Sequence, residues 1–353
     1  MGPRNPVAQS TDQFGWRANP PGRYRLWGRD GDHRRPPGTE SPDHRGRPED
    51  PRQGSGMGEG LREIEEARMG ELDGKVAVVT GGSRGMGRSA LNLFAAAGAT
   101  VVTCGRTQED LDKAVSELKD EFGVTAYGIQ TDIRDGDSVD AFMAEVEENC
   151  GAIHMLVNNA GESSQRAAAG ATMQIQMTHQ PDDPELPPGR FSEMKDSEFL
   201  KAFEQKALGM IRVSRAALPL LRKGGADGGA AVVNIVSTKG LQSPVRVVTS
   251  GIAWAAAMNF SKGLSYELAP DNIRVNVLGV DRAKTSQTEK SRERWAPDMT
   301  MEEFEEWRCV GVPFKRMGTS DEMAQAMFFL ATPRSSYITG QCLAIDGGAI
   351  RTL

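Results

Sequence analysis

The chain has 353 residues, of which 38% are hydrophobic and 25% charged, with a formal net charge of -6; this is the balance of a globular protein with one or two domains. No stretch approaches the roughly 18 uninterrupted apolar residues of a membrane span, the N-terminus carries no apolar signal core, and there is no basic footprint for nucleic acid. Cys104, Cys150, Cys309 and Cys342 stand far apart and form no CxxC pair, which argues against a disulfide framework or a zinc site and fits a reducing cytoplasm.

Residues 1–70 hold 9 of the 19 prolines and 12 of the 40 glycines, and their 12 arginines nearly cancel 11 acidic residues. With no sustained apolar period this extension cannot bury a core and is expected to be disordered, with Met57 and Met69 as alternative starts. The foldable part, 71–353, alternates short Val- and Ile-rich runs with helical patterns, the signature of a parallel sheet built from βαβ units. The strands are predicted at Lys75–Thr80, Thr100–Cys104, Thr125–Gln130, Ile153–Val157, Ala231–Val236, Arg274–Leu278 and Cys342–Ile345. Helices between them give a single α/β domain with a doubly wound, Rossmann-type seven-stranded sheet. Residues 162–190, with Pro181, Pro184, Pro187 and Pro188, form an insertion where a short connection would suffice.

The first strand runs into Thr80-Gly81-Gly82-Ser83-Arg84-Gly85-Met86-Gly87 and then a helix over Arg88–Ala97. Strand, glycines and helix in this order let a backbone approach a pyrophosphate at a helix N-terminus, so Gly81, Ser83, Arg84, Gly85, Met86 and Gly87 are cofactor-binding candidates. The second strand ends at Cys104-Gly105-Arg106, where an acid would hold the ribose 2′-hydroxyl of NAD. Gly105 removes that acid, and Arg106 with Arg84 can pair with a 2′-phosphate, which favours NADP(H) over NAD(H).

With these motifs the chain resembles the short-chain dehydrogenases/reductases. The resemblance also rests on Leu72-Asp73-Gly74-Lys75, on Asp132, on Asn158-Asn159-Ala160-Gly161, on Asn234-Ile235-Val236-Ser237, on Arg274-Val275-Asn276-Val277 and on Asp346-Gly347-Gly348, and it covers nearly all of residues 71–350. It implies that Asp132, with Ile133 beside it, faces the adenine, that Asn158, Ala160 and Gly161 support the cofactor ribose, that Thr285 closes over the cofactor, and that Ser237 touches the substrate oxygen.

The same comparison departs from the family where the chemistry is done. The family's Tyr and the Lys four residues later share one helical face, where the ammonium lowers the phenol's pKa. Here Ser250 and Trp254 occupy those places, and none of the four tyrosines, Tyr24, Tyr127, Tyr266 and Tyr337, has a Lys four residues on. Lys206 stands where the family has an Asn, and Val280-Asp281 replaces its Pro-Gly. Neither a serine hydroxyl nor an indole reproduces the roles of tyrosine and lysine. Ser237, Lys206 and Ser250 are therefore the catalytic candidates, with Lys206 first as substitute acid or electrostatic stabiliser; the alternative for Lys206 is a side chain that reaches solvent or a structural salt bridge. Asp281 and Arg282 can pair with each other.

Trp295, Met299, Met301, Phe304 and Trp307 lie in 284–313, which reads either as a lid over an apolar substrate or as helices packing on themselves. Three functions follow: an NADP(H)-dependent oxidoreductase acting on the carbonyl or hydroxyl of an apolar small molecule; a non-redox enzyme for dehydration, isomerisation or cyclisation, with the cofactor structural or lost; and an inactive partner subunit. The resemblance implies a homodimer or homotetramer built on helices Lys195–Arg222 and Thr249–Leu268.

Overall fold

All five residues of β1 (Val76–Thr80) are buried, the mark of a strand covered on both faces, and in the computed structural model this strand sits inside the sheet. The structure describes residues 70–161, 191–243 and 248–352. Around β1 stand β2 (Thr100–Gly105), β3 (Ala126–Gln130), β4 (Met155–Asn158), β5 (Ala230–Ser237), β6 (Ile273–Val280) and β7 (Cys342–Ile345), in the order β3-β2-β1-β4-β5-β6-β7. Every pairing is parallel, so each connection crosses over the sheet. The order reverses between β1 and β4, the crevice where open sheets of this kind take ligands.

The seven predicted strands are all present, with ends moved by a residue or two. Helices are α1 (Gly85–Ala96), α2 (Gln108–Phe122), α3 (Gly136–Cys150), α4 (Asp196–Phe203), α5 (Gly209–Ala226), α6 (Val248–Leu268), α7 (Ser286–Trp295), α8 (Met301–Cys309) and α9 (Ser320–Ala331). Two refinements concern the helices. α1 begins at Gly85 rather than Arg88, because Arg84 already serves as its extended N-cap at φ -157. The helix expected over Lys195–Arg222 runs unbroken as α4 and α5, with a π-helical turn, Glu204–Leu208, between them. Residues 1–69 of the predicted extension 1–70, and the whole of the insertion 162–190, lie outside the described residues.

Alternation along the strands divides the core into two faces. Ala77 and Val79 pack with Phe94 of α1 and with Met327 and Phe328 of α9. Val76 and Val78 face the other way, onto Phe142 and Val146 of α3 and Val213 and Leu220 of α5. Helix ends follow local chemistry: Thr300 and Glu303 close a reciprocal capping box on α8, and Thr319 with Glu322 does the same on α9. Arg274 on β6 donates to the carbonyls of Leu330 (2.9 Å) and Thr332 (2.9 Å) at the end of α9 and to Ser335 Oγ (2.7 Å). Among the described residues no helix is long and apolar enough to cross a membrane.

Candidate functional site

The turn from β1 into α1 can only be made by glycine at several points. Gly81 and Gly85 have φ of +69 and +58, the left-handed region that other residues avoid. A Cβ on Gly87 would stand 2.5 Å from the carbonyl oxygen of Gly81 and 2.5 Å from Asn159 Nδ2, so α1 lies directly on the turn and aims its free N–H groups past it. Asn159, just past β4, braces this arrangement by donating to the carbonyls of Thr80 (3.1 Å) and Gly81 (3.1 Å), while Thr80 Oγ1 accepts from the N–H of Ala160 (2.9 Å).

A cleft of 310 Å³ opens beside this turn. Among the residues named from the sequence, Gly81, Ser83, Arg84, Gly85, Met86, Arg106, Asp132, Ile133, Ala160, Gly161 and Thr285 line it. Thr285 crosses from beyond β6 to lie 3.7 Å from where a Gly85 Cβ would be. Arg84 and Arg106 are both exposed at its rim. Asp132 pairs with Arg134 at 2.5 Å, and that guanidinium holds its carboxyl below the usual range. Burial pushes the Cys104 thiol at the cleft floor up to about 12, which keeps it un-ionised.

Two candidates sit elsewhere. Gly87 lies beneath the turn as a close-packing point. Asn158 is 2% exposed, and its Nδ2 donates to Asn234 Oδ1 (2.8 Å) and Ser214 Oγ (3.0 Å). Asn234 in turn donates to Ser261 Oγ (2.8 Å), so Asn158 braces β4, β5, α5 and α6 together and lies outside the cleft wall. Asn159, Arg134 and Gln205, which do line it, were not singled out as site residues from the sequence. The signal for Asn159 was its place in the quoted Asn-Asn-Ala-Gly run; for Arg134 it was a cation two residues from Asp132.

The catalytic candidates lie above β5 and β6. Ser237 pairs in register with Val280, so the turn Thr238–Gly240 and the segment from Asp281 leave the sheet side by side. Ser237 Oγ accepts from the N–H of Lys239 at 3.3 Å. α6 packs on that turn: a Cβ on Gly240 would meet the backbone N of Ala255 at 2.9 Å, and one on Gly251 would meet the carbonyl of Lys239 at 3.2 Å. This places Ser250, 4% exposed, and Trp254 in the first turns of α6 beside the strand end. The Trp254 indole reaches within 3.8 Å of where a Gly161 Cβ would be, at the border of the cleft.

Lys206 sits on the π turn and is 5% exposed. Its neighbour Ala207 packs with Val236 of β5, Ala257 of α6 and Trp254, so the turn, the strand end and the helix converge. Such turns occur preferentially at functional sites. Asp281 and Arg282 do pair with each other. In the predicted lid, Phe304 is 1% exposed and lies against Trp307, ring centres 5.7 Å apart.

A profile described as short chain dehydrogenase matches residues 75–296. The chain belongs to the short-chain dehydrogenases. The 3-oxoacyl-(acyl-carrier-protein) reductase FabG of Chlamydia muridarum is 32% identical over 278 residues, 78% of this chain and 98% of that protein. The L-sorbose reductase from Gluconobacter frateurii, solved with NADPH and L-sorbose, superposes with a TM-score of 0.69 at 28% identity over 80% of this chain and 98% of its own. A short chain oxidoreductase from Pseudomonas aeruginosa PAO1 containing an atypical catalytic center, solved with NADPH, gives 0.66 at 29% identity over 80% and 99%.

Proposed function

We propose that this short-chain dehydrogenase is an NADP(H)-dependent oxidoreductase acting on the carbonyl or hydroxyl group of a small molecule, with a proton donor other than the Tyr-Lys pair. The observation that carries the cofactor reading is the glycine-walled cleft. Its space exists because Gly81, Gly85 and Gly161 carry no side chains toward Ala160, Thr285 and Trp254. Gly81, Ser83, Gly85 and Met86 would hold the pyrophosphate at the α1 N-terminus, Arg84 and Arg106 the 2′-phosphate, and Asp132 and Ile133 the adenine. Two relatives solved with NADPH support the same choice. Bound there, the nicotinamide supplies a hydride to a carbonyl carbon, or accepts one from a carbinol carbon.

The chain must then handle one proton on the substrate oxygen. In this reading Ser237 donates a hydrogen bond to that oxygen and Lys206 supplies the proton during reduction, giving the alcohol. An ammonium enclosed on the π turn is a better donor than Ser250, whose hydroxyl is far too weak an acid and serves to orient. The Trp254 indole, in place of a cation, gives the apolar part of the substrate a surface beside Gly161. A homodimer or homotetramer would use α6, where Ile252 and Tyr266 are 53% and 71% exposed.

NADPH titration by fluorescence, followed by turnover of carbonyl compounds with deuterated NADPH, tests this. Deuterium in the product is expected; no cofactor binding at millimolar concentration, or turnover without deuterium transfer, refutes it. Lys206→Met should lower kcat by about 10² to 10⁴, with the NADPH affinity unchanged.

A further inference from the structure

Two cations above β5 and β6 have no hydrogen-bond acceptor for their side chains among the described residues. One is Lys239, in the turn two residues past Ser237; the other is Arg308, near the end of α8, whose Nε is buried without a partner and whose guanidinium lies 5.8 Å from the centre of the Phe304 ring. The carboxylates nearby are already engaged. Asp281 takes Arg282, through its side chain and through the Arg282 N–H at 3.0 Å. Glu305 takes Lys284 at 2.5 Å. Arg282 is further tied by donating from Nε to the Arg308 carbonyl at 2.6 Å, with its backbone held at φ +46.

Lys239, Arg282 and Arg308 thus face a single carboxylate, Asp281. Burial pushes the Lys239 ammonium and the Arg308 guanidinium below their ordinary pKa, and the positive neighbours add to this against the pull of Asp281. Excess positive charge held partly out of water is costly unless an anion completes it. The register of Ser237 with Val280 sets the cluster at the strand ends where the proposed reaction takes place.

The geometry points to a subsite, formed by Lys239 and Arg308, for an oxyanion group, carboxylate or phosphate, carried by the substrate next to its reacting oxygen. This rests on the reading above for the location of that oxygen, and it gives the substrate a charged end beside the apolar part that faces Trp254. Arg308 presents a planar fork and Lys239 a point charge, a combination suited to one oxyanion.

Calorimetric titration of the full chain, with and without saturating NADPH, uses malonate and methyl phosphate as charged probes and malonamide as the neutral one. Binding of at least one charged probe and none of malonamide is expected, and the stronger of the two charged probes identifies the anion. Lys239→Met and Arg308→Gln should each weaken that binding about tenfold, the loss of one charge-assisted contact. Arg308→Lys should recover part of it, and Lys113→Met, an exposed cation on α2, should leave it unchanged. Equal behaviour of charged and neutral probes, or anion binding that survives both substitutions, overturns the subsite. Absent NADPH binding would defeat the cofactor reading alone, because the probe titration on the free protein still reads Lys239 and Arg308.

Discussion

Gly87→Ala is the sharpest perturbation of the nucleotide turn. The added methyl would sit 2.5 Å from the Gly81 carbonyl oxygen and 2.5 Å from Asn159 Nδ2, roughly an ångström inside ordinary contact with both. Neither neighbour can yield freely: the Gly81 carbonyl accepts from Asn159, and Asn159 also holds Thr80. Relief must come from lifting α1 off the turn or breaking the Asn159 brace, a cost of about 1–3 kcal/mol by the usual measure of overpacking. Because α1 aims its N-terminus at the cleft, the same shift should weaken NADPH binding by about tenfold or more. Gly136→Ala is the control: it opens α3, and a Cβ there meets nothing within 4 Å, so stability should hold or rise by about 0.5–1 kcal/mol. Urea unfolding followed by circular dichroism, with NADPH fluorescence titration on the same samples, measures both quantities. A Gly87→Ala protein as stable as the parent and binding NADPH equally would refute this account of the turn.

Other outcomes follow from single contacts. Arg274→Met strips the donors from the Leu330 and Thr332 carbonyls and from Ser335; a loss of about 2–4 kcal/mol in urea unfolding is expected, since the carbonyls keep their burial. Arg106→Met should raise the Kd for NADPH about 5- to 50-fold and leave that for NADH nearly unchanged; equal loss for both nucleotides would remove Arg106 from the 2′-phosphate. His154 is 4% exposed, accepts from the Val76 N–H at Nδ1 (3.1 Å) and donates from Nε2 to Asp227 (2.9 Å), and burial lowers its pKa from 6.5. The unfolded chain therefore takes up a proton below pH 6.5 that the folded chain resists. Stability should decline from pH 7 toward pH 5.5, and His154→Gln should flatten that slope in urea midpoints measured across the range.

The fold was legible because its signals are local and repeated. Buried parallel strands need apolar runs on both faces, so β1, β5 and β6 announced themselves as Val- and Ile-rich segments between helical patterns. The glycine turn was equally plain, since left-handed φ and close approach demand glycine wherever they occur. Side-chain direction was not legible. Asn158 and Asn159 are adjacent in a strand end, where successive residues point to opposite faces, and only the structure shows that Asn158 turns to Asn234 while Asn159 turns to the cleft. The π turn between α4 and α5 was invisible for a related reason: Glu204 to Leu208 read as ordinary helix, and the turn stands out only in its packing against β5 and α6. Nothing local in the sequence marks Arg308, because its neighbour in space, Lys239, lies 69 positions away in the chain.

The two ends of the cleft are built by different means, and this decides how each responds to change. At the nucleotide end, shape comes from backbone: positive φ at Gly81 and Gly85, the absence of a Cβ at Gly87, and the Asn159 brace. A methyl group is enough to damage it, and no distant substitution can restore the lost space. At the other end, Lys206, Ser250 and Trp254 are carried by the π turn and α6, and Lys239, Arg282 and Arg308 are placed by two strand ends and α8. Exchange of side chains there alters charge and reach while the sheet stays fixed. A family scaffold can therefore keep its glycine turn intact while the residues above β5 and β6 change, which is the freedom that the proposed roles of Lys206, Lys239 and Arg308 require.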